Sequence, residues 1–244
     1  MNIGIIGAGN IGATLATKLS AAGHNIKLAN SRGPETIADV ARQAGATAVT
    51  QEEVVRNVDV IILSIPFTAH ETLAELLSIL PSTVPVIDTS NYYPFRDNSI
   101  ADVENGEPES VWASNKAGRP LIKAWNAVLA ATLANKGLPS GTSGRIAIPV
   151  AGDDEQAKNT TMKLVSETGF DAVDAGPLDH SWRQQPGTPA YCTELSASDL
   201  KVALMAADKE RAPVNRDALM KEFMSASKPL SHEHTVARNR AGTA

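Results

Sequence analysis

The sequence predicts an α/β protein: a doubly wound, mostly parallel sheet with a small C-terminal α/β and helical extension. Three features predict it. Short apolar runs alternate with segments of helical periodicity over most of the chain, the pattern of strands joined by crossover helices. The run "VDVIILSIP" is apolar almost throughout, as suits a strand covered on both faces. A glycine cluster, "GAGNIG", falls where the first apolar run gives way to the first helical segment.

Taken in order, residues 2–6, "NIGII", read as a buried strand, and 10–22 as a helix whose Ala, Leu and Ile recur at helical spacing. "HNIKLAN" reads as the second strand and Pro34 to Ala44 as a helix, with Pro in the first turn, where its missing N–H is harmless. "ATAVT" is a third strand, "QEEVVRN" a short helix, "VDVIILSIP" the fourth strand, Ala69 to Leu80 a helix and "VPVIDTS" the fifth strand. Residues 91–118 read as a long polar loop, of a length that is usually functional or mobile. "LIKAWNA" is expected to be a sixth strand; "DDEQAKNTTMKLVSETG" is a helix with acids in its first turn and Gly169 near its end; and "FDAVDAG" is a short strand. The loop "SWRQQPGTPAYC" then leads to a helical tail from about Ser196. This divides the chain into residues 1–120, a nucleotide-binding unit, and 121–244, which complete the sheet, shape an acceptor pocket and end in the tail.

Composition narrows the function. Of 244 residues, 43% are apolar and 20% charged, and the net charge is -5; with no concentrated basic face, a nucleic-acid partner is not expected. The lone Cys192 rules out an internal disulfide framework and points to a reducing, cytoplasmic setting. The apolar N-terminus lacks a basic n-region and carries its glycines at a strand-to-helix turn, so it is read as part of the fold and not as a secretory signal. No apolar run reaches the about 20 residues that a membrane span needs.

"GAGNIG" places Gly7, Gly9 and Gly12 in G-x-G-x-x-G spacing between a strand and a helix, the fingerprint of a Rossmann-type dinucleotide site. Gly7 allows the tight turn, Gly9 lets a pyrophosphate approach the backbone, and Gly12 lets the helix lie close to the strand. The N–H groups that open the helix, at Asn10 and Ile11, are then expected to face the phosphates. About twenty residues on, an acid would normally hold the free 2′-hydroxyl of the adenosine ribose. "LANSRGPE" puts Asn30, Ser31 and Arg32 there instead. A guanidinium can fork two donors onto a 2′-phosphate and a serine hydroxyl can add another, so these residues favour NADP(H) over NAD(H).

The nicotinamide is expected beyond the carboxyl ends of the strands, among Ile65 and Pro66, Thr89 to Asn91 (Ser90 and Asn91 as contacts), and Ala124, Trp125 and Asn126. Ile65 and Phe67 are expected to offer an apolar wall, with core packing an equal reading for Phe67. Proton-transfer machinery is sparse: His180 in "LDHSW" and Lys123 in "IKAWN" are the candidates, each read first as a surface or loop-anchoring residue. His232 and His234 in "SHEH" are read as solvated tail residues; no metal site is expected. A carbonyl acceptor normally needs a proton donor, whereas a flavin or deazaflavin ring delocalises the incoming charge.

The segments "GAGNIGATLATKL", "NSR", "SIPF", "VIDTSNYY", "KAWNAV", "VAGDDEQAK" and "DAGPL" fall in the order seen in the coenzyme F420-dependent NADP oxidoreductases, and the chain looks like a bacterial member of that family over nearly all of residues 1–195. "KAWN" is also similar to the cytosolic NADPH domains of the membrane ferric reductases called six-transmembrane epithelial antigens, which pass electrons through flavin. The resemblance implies NADP(H) contacts at Gly9 to Gly12, Ser31, Arg32, Ile65 and Pro66, with a tricyclic acceptor, coenzyme F420 or a flavin, stacked near Asn126 and the late loop. The archaeal members lack "SWRQQPGTPAYC" and the tail, so Trp182, Arg183, Gln184 and Tyr191 are expected to shape a substrate pocket different from theirs. Two alternatives stand beside this reading: a reductase of a small carbonyl or imine, with Lys123 or His180 as acid, and a nonenzymatic NADP(H)-sensing module. The amphipathic tail, with Leu200, Val202, Leu204 and Met205 in helical pattern, is expected to pack on its own sheet or to cover a second subunit in a homodimer.

Overall fold

In a computed structural model, residues 1–228 and 230–243 are described. The strands β1 (Asn2–Ile6), β2 (Asn25–Ala29), β3 (Thr47–Ala48), β4 (Val60–Leu63), β5 (Val86–Asp88) and β6 (Ile122–Lys123) form one sheet in the order β3-β2-β1-β4-β5-β6. Every neighbouring pair is parallel, with Ile5 opposite Leu28 on one side and Ile62 on the other. All the strands therefore end on the same edge, and the order reverses between β1 and β4, the place where such sheets bind ligands.

Alternation along the strands sorts their side chains onto two faces. Ile3, Ile5, Leu28, Val60 and Ile62 share a core with Leu15 and Leu19 of α1 (Asn10–Ala21). The same core takes Ala41 of α2 (Ala38–Gln43), Leu133 of α8 (Ala130–Asn135) and Leu164 of α9 (Glu155–Glu167). On the other face, Ile61 and Leu63 join Val54 of α3 (Gln51–Val54), Leu73 and Leu77 of α4 (His70–Ser78), and Trp112 and Ala113 of α7 (Glu109–Ala117). Full burial of each Leu or Ile contributes roughly 1.5 to 3 kcal/mol, so the central strands are the most strongly fixed part of the molecule.

Several expectations change. Residues 91–118 hold three helices, α5 (Pro94–Asp97), α6 (Ala101–Glu104) and α7. The polar composition hid α7 because its buried face is made of Glu109, Ser110, Trp112, Ala113 and Ala117, only one of them a large apolar residue. The helix expected over Pro34 to Ala44 is split into a 3-10 turn, Pro34–Ile37, and α2. "LIKAWNA" keeps only Ile122–Lys123 as strand, since Trp125 takes a left-handed backbone with φ 55° that ends the ladder. In "SWRQQPGTPAYC", the first residues belong to a 3-10 helix, Leu178–Gln184.

Beyond β6, β7 (Ala147–Val150) and β8 (Asp171–Asp174) form a separate parallel pair, joined to β6 by a bridge between Lys123 and Ala151. The tail folds as α10 (Ala197–Ala206), α11 (Arg211–Ser225) and α12 (His232–Thr243). Pro213 sits in the first turn of α11, where no intrahelical N–H bond is lost. No helix among the described residues is long and apolar enough to cross a membrane.

Candidate active site

The glycine turn separates two kinds of constraint. Gly7 has φ 110°, and a Cβ there would lie 1.9 Å from the Ser64 carbonyl oxygen; a Cβ on Gly12 would lie 1.9 Å from the Gly7 carbonyl oxygen. Both are glycines because the fold needs them. Gly9 differs: it has ordinary extended angles, φ -76° and ψ -174°, and a Cβ there would meet no atom within 4 Å. Nothing in the chain requires glycine at that position, so the space it leaves fits the close approach of a ligand. Gly9 caps α1 without a side-chain hydrogen bond and no acid stands in the first turn. The N–H groups of Asn10, Ile11 and Gly12 therefore present an unopposed positive helix end.

At the end of β2, Asn30 holds the turn: its Nδ2 donates to Thr36 Oγ1 at 2.8 Å and its Oδ1 accepts the Arg32 N–H at 3.0 Å. Ser31 and Arg32 are exposed, and among the described residues the Arg32 guanidinium has no ion pair. One anion stands close by that sequence reading missed. The carboxylate of Glu35 folds back over Gly33, with Oε1 2.5 Å from where a Cβ on Gly33 would be.

Behind the ends of β4, β5 and β6 lies a fully buried charge cluster of His70, Asp88 and Lys123. Asp88 Oδ2 accepts from Lys123 Nζ at 2.8 Å and from Ser90 Oγ at 3.0 Å, while Oδ1 accepts the Ser90 N–H at 3.0 Å and faces His70 Nε2 at 3.0 Å. Lys123 Nζ also donates to the Ser90 carbonyl. His70 Nδ1 lies 2.7 Å from the Phe67 carbonyl oxygen, so both ring nitrogens face oxygen atoms. Burial alone would push the Asp88 carboxyl up; Lys123 first and His70 second override it and hold it well below the usual carboxylate range. Burial wins at Glu109, which opens α7 and accepts the Tyr92 N–H at 3.0 Å: it is pushed up to about 7, against the pull of Lys123. Lys123 was expected at the surface or in a loop; it is instead the buried partner of Asp88. Opposite charges inside two neighbouring apolar strands, "VID" and "LIK", were the signal that could have revealed the pair, since such groups are buried only when matched.

Next to this cluster the amides of Asn91, Asn126 and Gln184 bond to one another. Asn126 Nδ2 donates to Asn91 Oδ1 at 3.0 Å and to the Gln184 carbonyl at 2.8 Å, and its Oδ1 accepts from Gln184 Nε2 at 2.9 Å. Tyr93 and Tyr191 share a hydroxyl contact of 2.8 Å, and burial first, then the Cys192 thiol, pushes both phenols up. The structure thus brings Asn91 and Asn126 together and ties Tyr191 to the Asn91 segment through Tyr93.

The other expected residues differ in exposure. Ala124 and Trp125 are 0% and 1% exposed, with the Trp125 indole N–H donating to Thr168 Oγ1 at 3.3 Å; they back the site from the core and offer no open surface. Phe67 is core, stacked on Trp112 at 4.9 Å between ring centroids, while Ile65 is half-buried and Pro66 exposed. Trp182 lines a cleft with Pro108, Glu109, Lys209 and Arg216. His180 is half-buried beside Asp179. His232, read as a solvated tail residue, is paired with Glu194 at 2.6 Å.

The sequence profile described as "NADP oxidoreductase coenzyme F420-dependent" matches residues 2–92, the β1 to β5 segment that carries the glycine turn and the Ser31–Arg32 site. The protein YjhV of Escherichia coli K12 is 39% identical over 104 residues, which cover 43% of this chain and 76% of that one. A hypothetical protein of Sinorhizobium meliloti, SMa0349, superimposes with a TM-score of 0.68 at 30% identity over 80% of this chain and 95% of that one. The chain belongs to the coenzyme F420-dependent NADP oxidoreductase family. A candidate F420-dependent NADP reductase from Arthrobacter sp. FB24 shares the fold of this family member, with a TM-score of 0.63 at 16% identity over 92% of this chain and 94% of that one.

Proposed function

We propose that this NADP-dependent oxidoreductase transfers a hydride between NADP(H) and a deazaflavin, coenzyme F420, or a flavin-like ring. NADPH supplies the hydride, and a proton from solvent completes reduction of the acceptor. Gly9 and the N–H groups opening α1 bind the pyrophosphate, while Ser31 and Arg32 hold the 2′-phosphate. Asn91 orients the nicotinamide, with Ser90 and Asn126 holding its segment from behind and Ile65 and Pro66 against the ring; Tyr191 stands on the acceptor side.

One observation carries the choice of acceptor. Of the two acids available to a carbonyl reductase, Lys123 is fully buried and committed to Asp88 and Ser90, and His180 is half-buried beside Asp179, 3.9 Å from its carboxylate. A reaction that needs no protein acid in the hydride step suits this site better. The test is NADPH oxidation with coenzyme F420, FMN and a carbonyl panel; turnover with F420 or FMN is expected, and turnover with carbonyls alone would reverse the choice. Arg32→Ala is expected to weaken NADPH binding about ten- to a hundredfold, the equivalent of one charged hydrogen bond, and to leave NADH binding unchanged; equal loss for both would remove Arg32 from the site. The exposed Val202, Met205 and Val214 support a homodimer, which Met205→Glu is expected to weaken in sedimentation.

A further inference from the structure

The stretch before the tail contains a strained segment that is held at both ends. Cys192 and Glu194 are non-glycine residues in the left-handed region, φ 56° and 51°, a conformation that persists only where surrounding contacts impose it. The Ala127 carbonyl accepts the Cys192 N–H at 3.0 Å, and further contacts come from α12. Arg240 Nε donates to the Thr193 carbonyl at 2.7 Å and its Nη2 to the Glu194 carbonyl at 2.9 Å. Asn239 Nδ2 reaches the Cys192 carbonyl at 3.4 Å. His232 Nε2 lies 2.6 Å from Glu194 Oε1, beside the donors Thr132 Oγ1 and Lys136 Nζ at 2.7 and 2.9 Å. At the other end, α11 grips Gly187: Asn215 Nδ2 donates to its carbonyl at 3.1 Å, and a Cβ on Gly187 would lie 2.0 Å from the Ala212 carbonyl oxygen. The two helices are tied to each other by Arg238, whose Nε and Nη2 donate to Glu222 at 2.6 and 2.8 Å. Tyr191 lies between the gripped ends, and its hydroxyl meets that of Tyr93.

We propose that α11 and α12 clamp residues 187–194 and that Arg240 and His232 are positioning residues, fixing Tyr191 at the acceptor side of the site. The proposal rests on the hydride-transfer reading above for its catalytic consequence, and on the bonds themselves for the clamp. The tail is then a device for holding the acceptor and has no part in the phosphate-binding end of the site, which is built from β1, α1 and the turn after β2.

The experiment uses the full chain with Arg240→Ala, Arg240→Lys, His232→Ala and Tyr191→Phe. KM and kcat are measured with NADPH against coenzyme F420 and FMN, NADPH affinity by fluorescence, and amide hydrogen exchange by peptide. Arg240→Ala is expected to raise acceptor KM at least tenfold, to leave NADPH affinity within twofold and to speed exchange in residues 187–194. Arg240→Lys, which keeps one donor to these carbonyls, is expected to recover part of the loss, and Tyr191→Phe to raise acceptor KM without faster exchange. Unchanged acceptor KM, or equal losses for acceptor and NADPH in Arg240→Lys, would overturn the proposal. If the unaltered chain reduces neither F420 nor FMN, the hydride-transfer reading fails, and exchange in residues 187–194 of the Arg240 variants alone decides the clamp: unchanged rates refute it.

Discussion

Arg32 and Glu35 stand three residues apart in the same turn, with opposite charges and no bond between them among the described residues. In the proposed mode of binding, the exposed guanidinium would attract a 2′-phosphate, and the carboxylate folded over Gly33 would repel it. Discrimination between coenzymes is then the difference between these two effects, not the work of Arg32 alone. Glu35→Gln is expected to tighten NADPH binding by up to about fivefold, the usual size of an exposed charge effect, with a smaller gain at high salt and none for NADH. Titration of both coenzymes at two ionic strengths checks it, and equal tightening of NADH would show that Glu35 acts on something other than the extra phosphate. Sequence alone pointed to Arg32 because an expected acid was missing there. It did not reveal Glu35, whose approach depends on the positive φ of Gly33, 98°.

Among the elements, β1, the glycine turn and α1 make the clearest separation of folding from binding. Gly12→Ala puts a methyl 1.9 Å from a backbone oxygen and is expected to cost about 1 to 3 kcal/mol or more, as overpacking does. Gly9→Ala meets no protein atom within 4 Å; its expected cost in stability is under about 1 kcal/mol, the difference between Gly and Ala at a helix cap, while NADPH binding falls at least tenfold. Urea melts and coenzyme titrations of the two variants separate these effects, and unimpaired binding by Gly9→Ala would mean the turn serves only the fold. The elements that sequence made legible are those with a strong period: β1, β2, β4 and α1, whose apolar residues repeat cleanly. Those it hid have a tertiary cause. α7 buries mostly small and polar residues, and β6 stops where the Trp125 backbone turns left-handed. Asn126 was singled out from the sequence, but the buried His70–Asp88–Lys123 cluster behind it was not, because the pairing depends on strand order.

At the scale of the whole molecule, two buried carboxyls act on stability in opposite pH ranges. Asp88 is held below its ordinary value of 3.8, so its contribution is fully present above that pH and is lost as pH falls. Glu109 is pushed from 4.5 up to about 7. Between those values the unfolded chain releases a proton that the folded chain keeps, so stability falls as pH rises. Glu109→Gln, which does not titrate, is expected to remove that decline: its urea midpoint should stay level from about pH 4.5 to about pH 7 while that of the unaltered chain drops. A parallel decline in both proteins would place the titrating group elsewhere.

Of the three tryptophans, Trp112 and Trp125 are buried, at 7% and 1% exposure, and Trp182 is half-buried, with Arg183 5.3 Å and Lys209 5.9 Å from its ring. The indole that solvent reaches most readily is thus ringed by cations in the segment leading to Tyr191. Iodide is drawn towards such an indole and caesium is driven off, so the two quenchers divide the protein's emission into a silent core and one reporter, and movement of the late segment becomes visible without any added label.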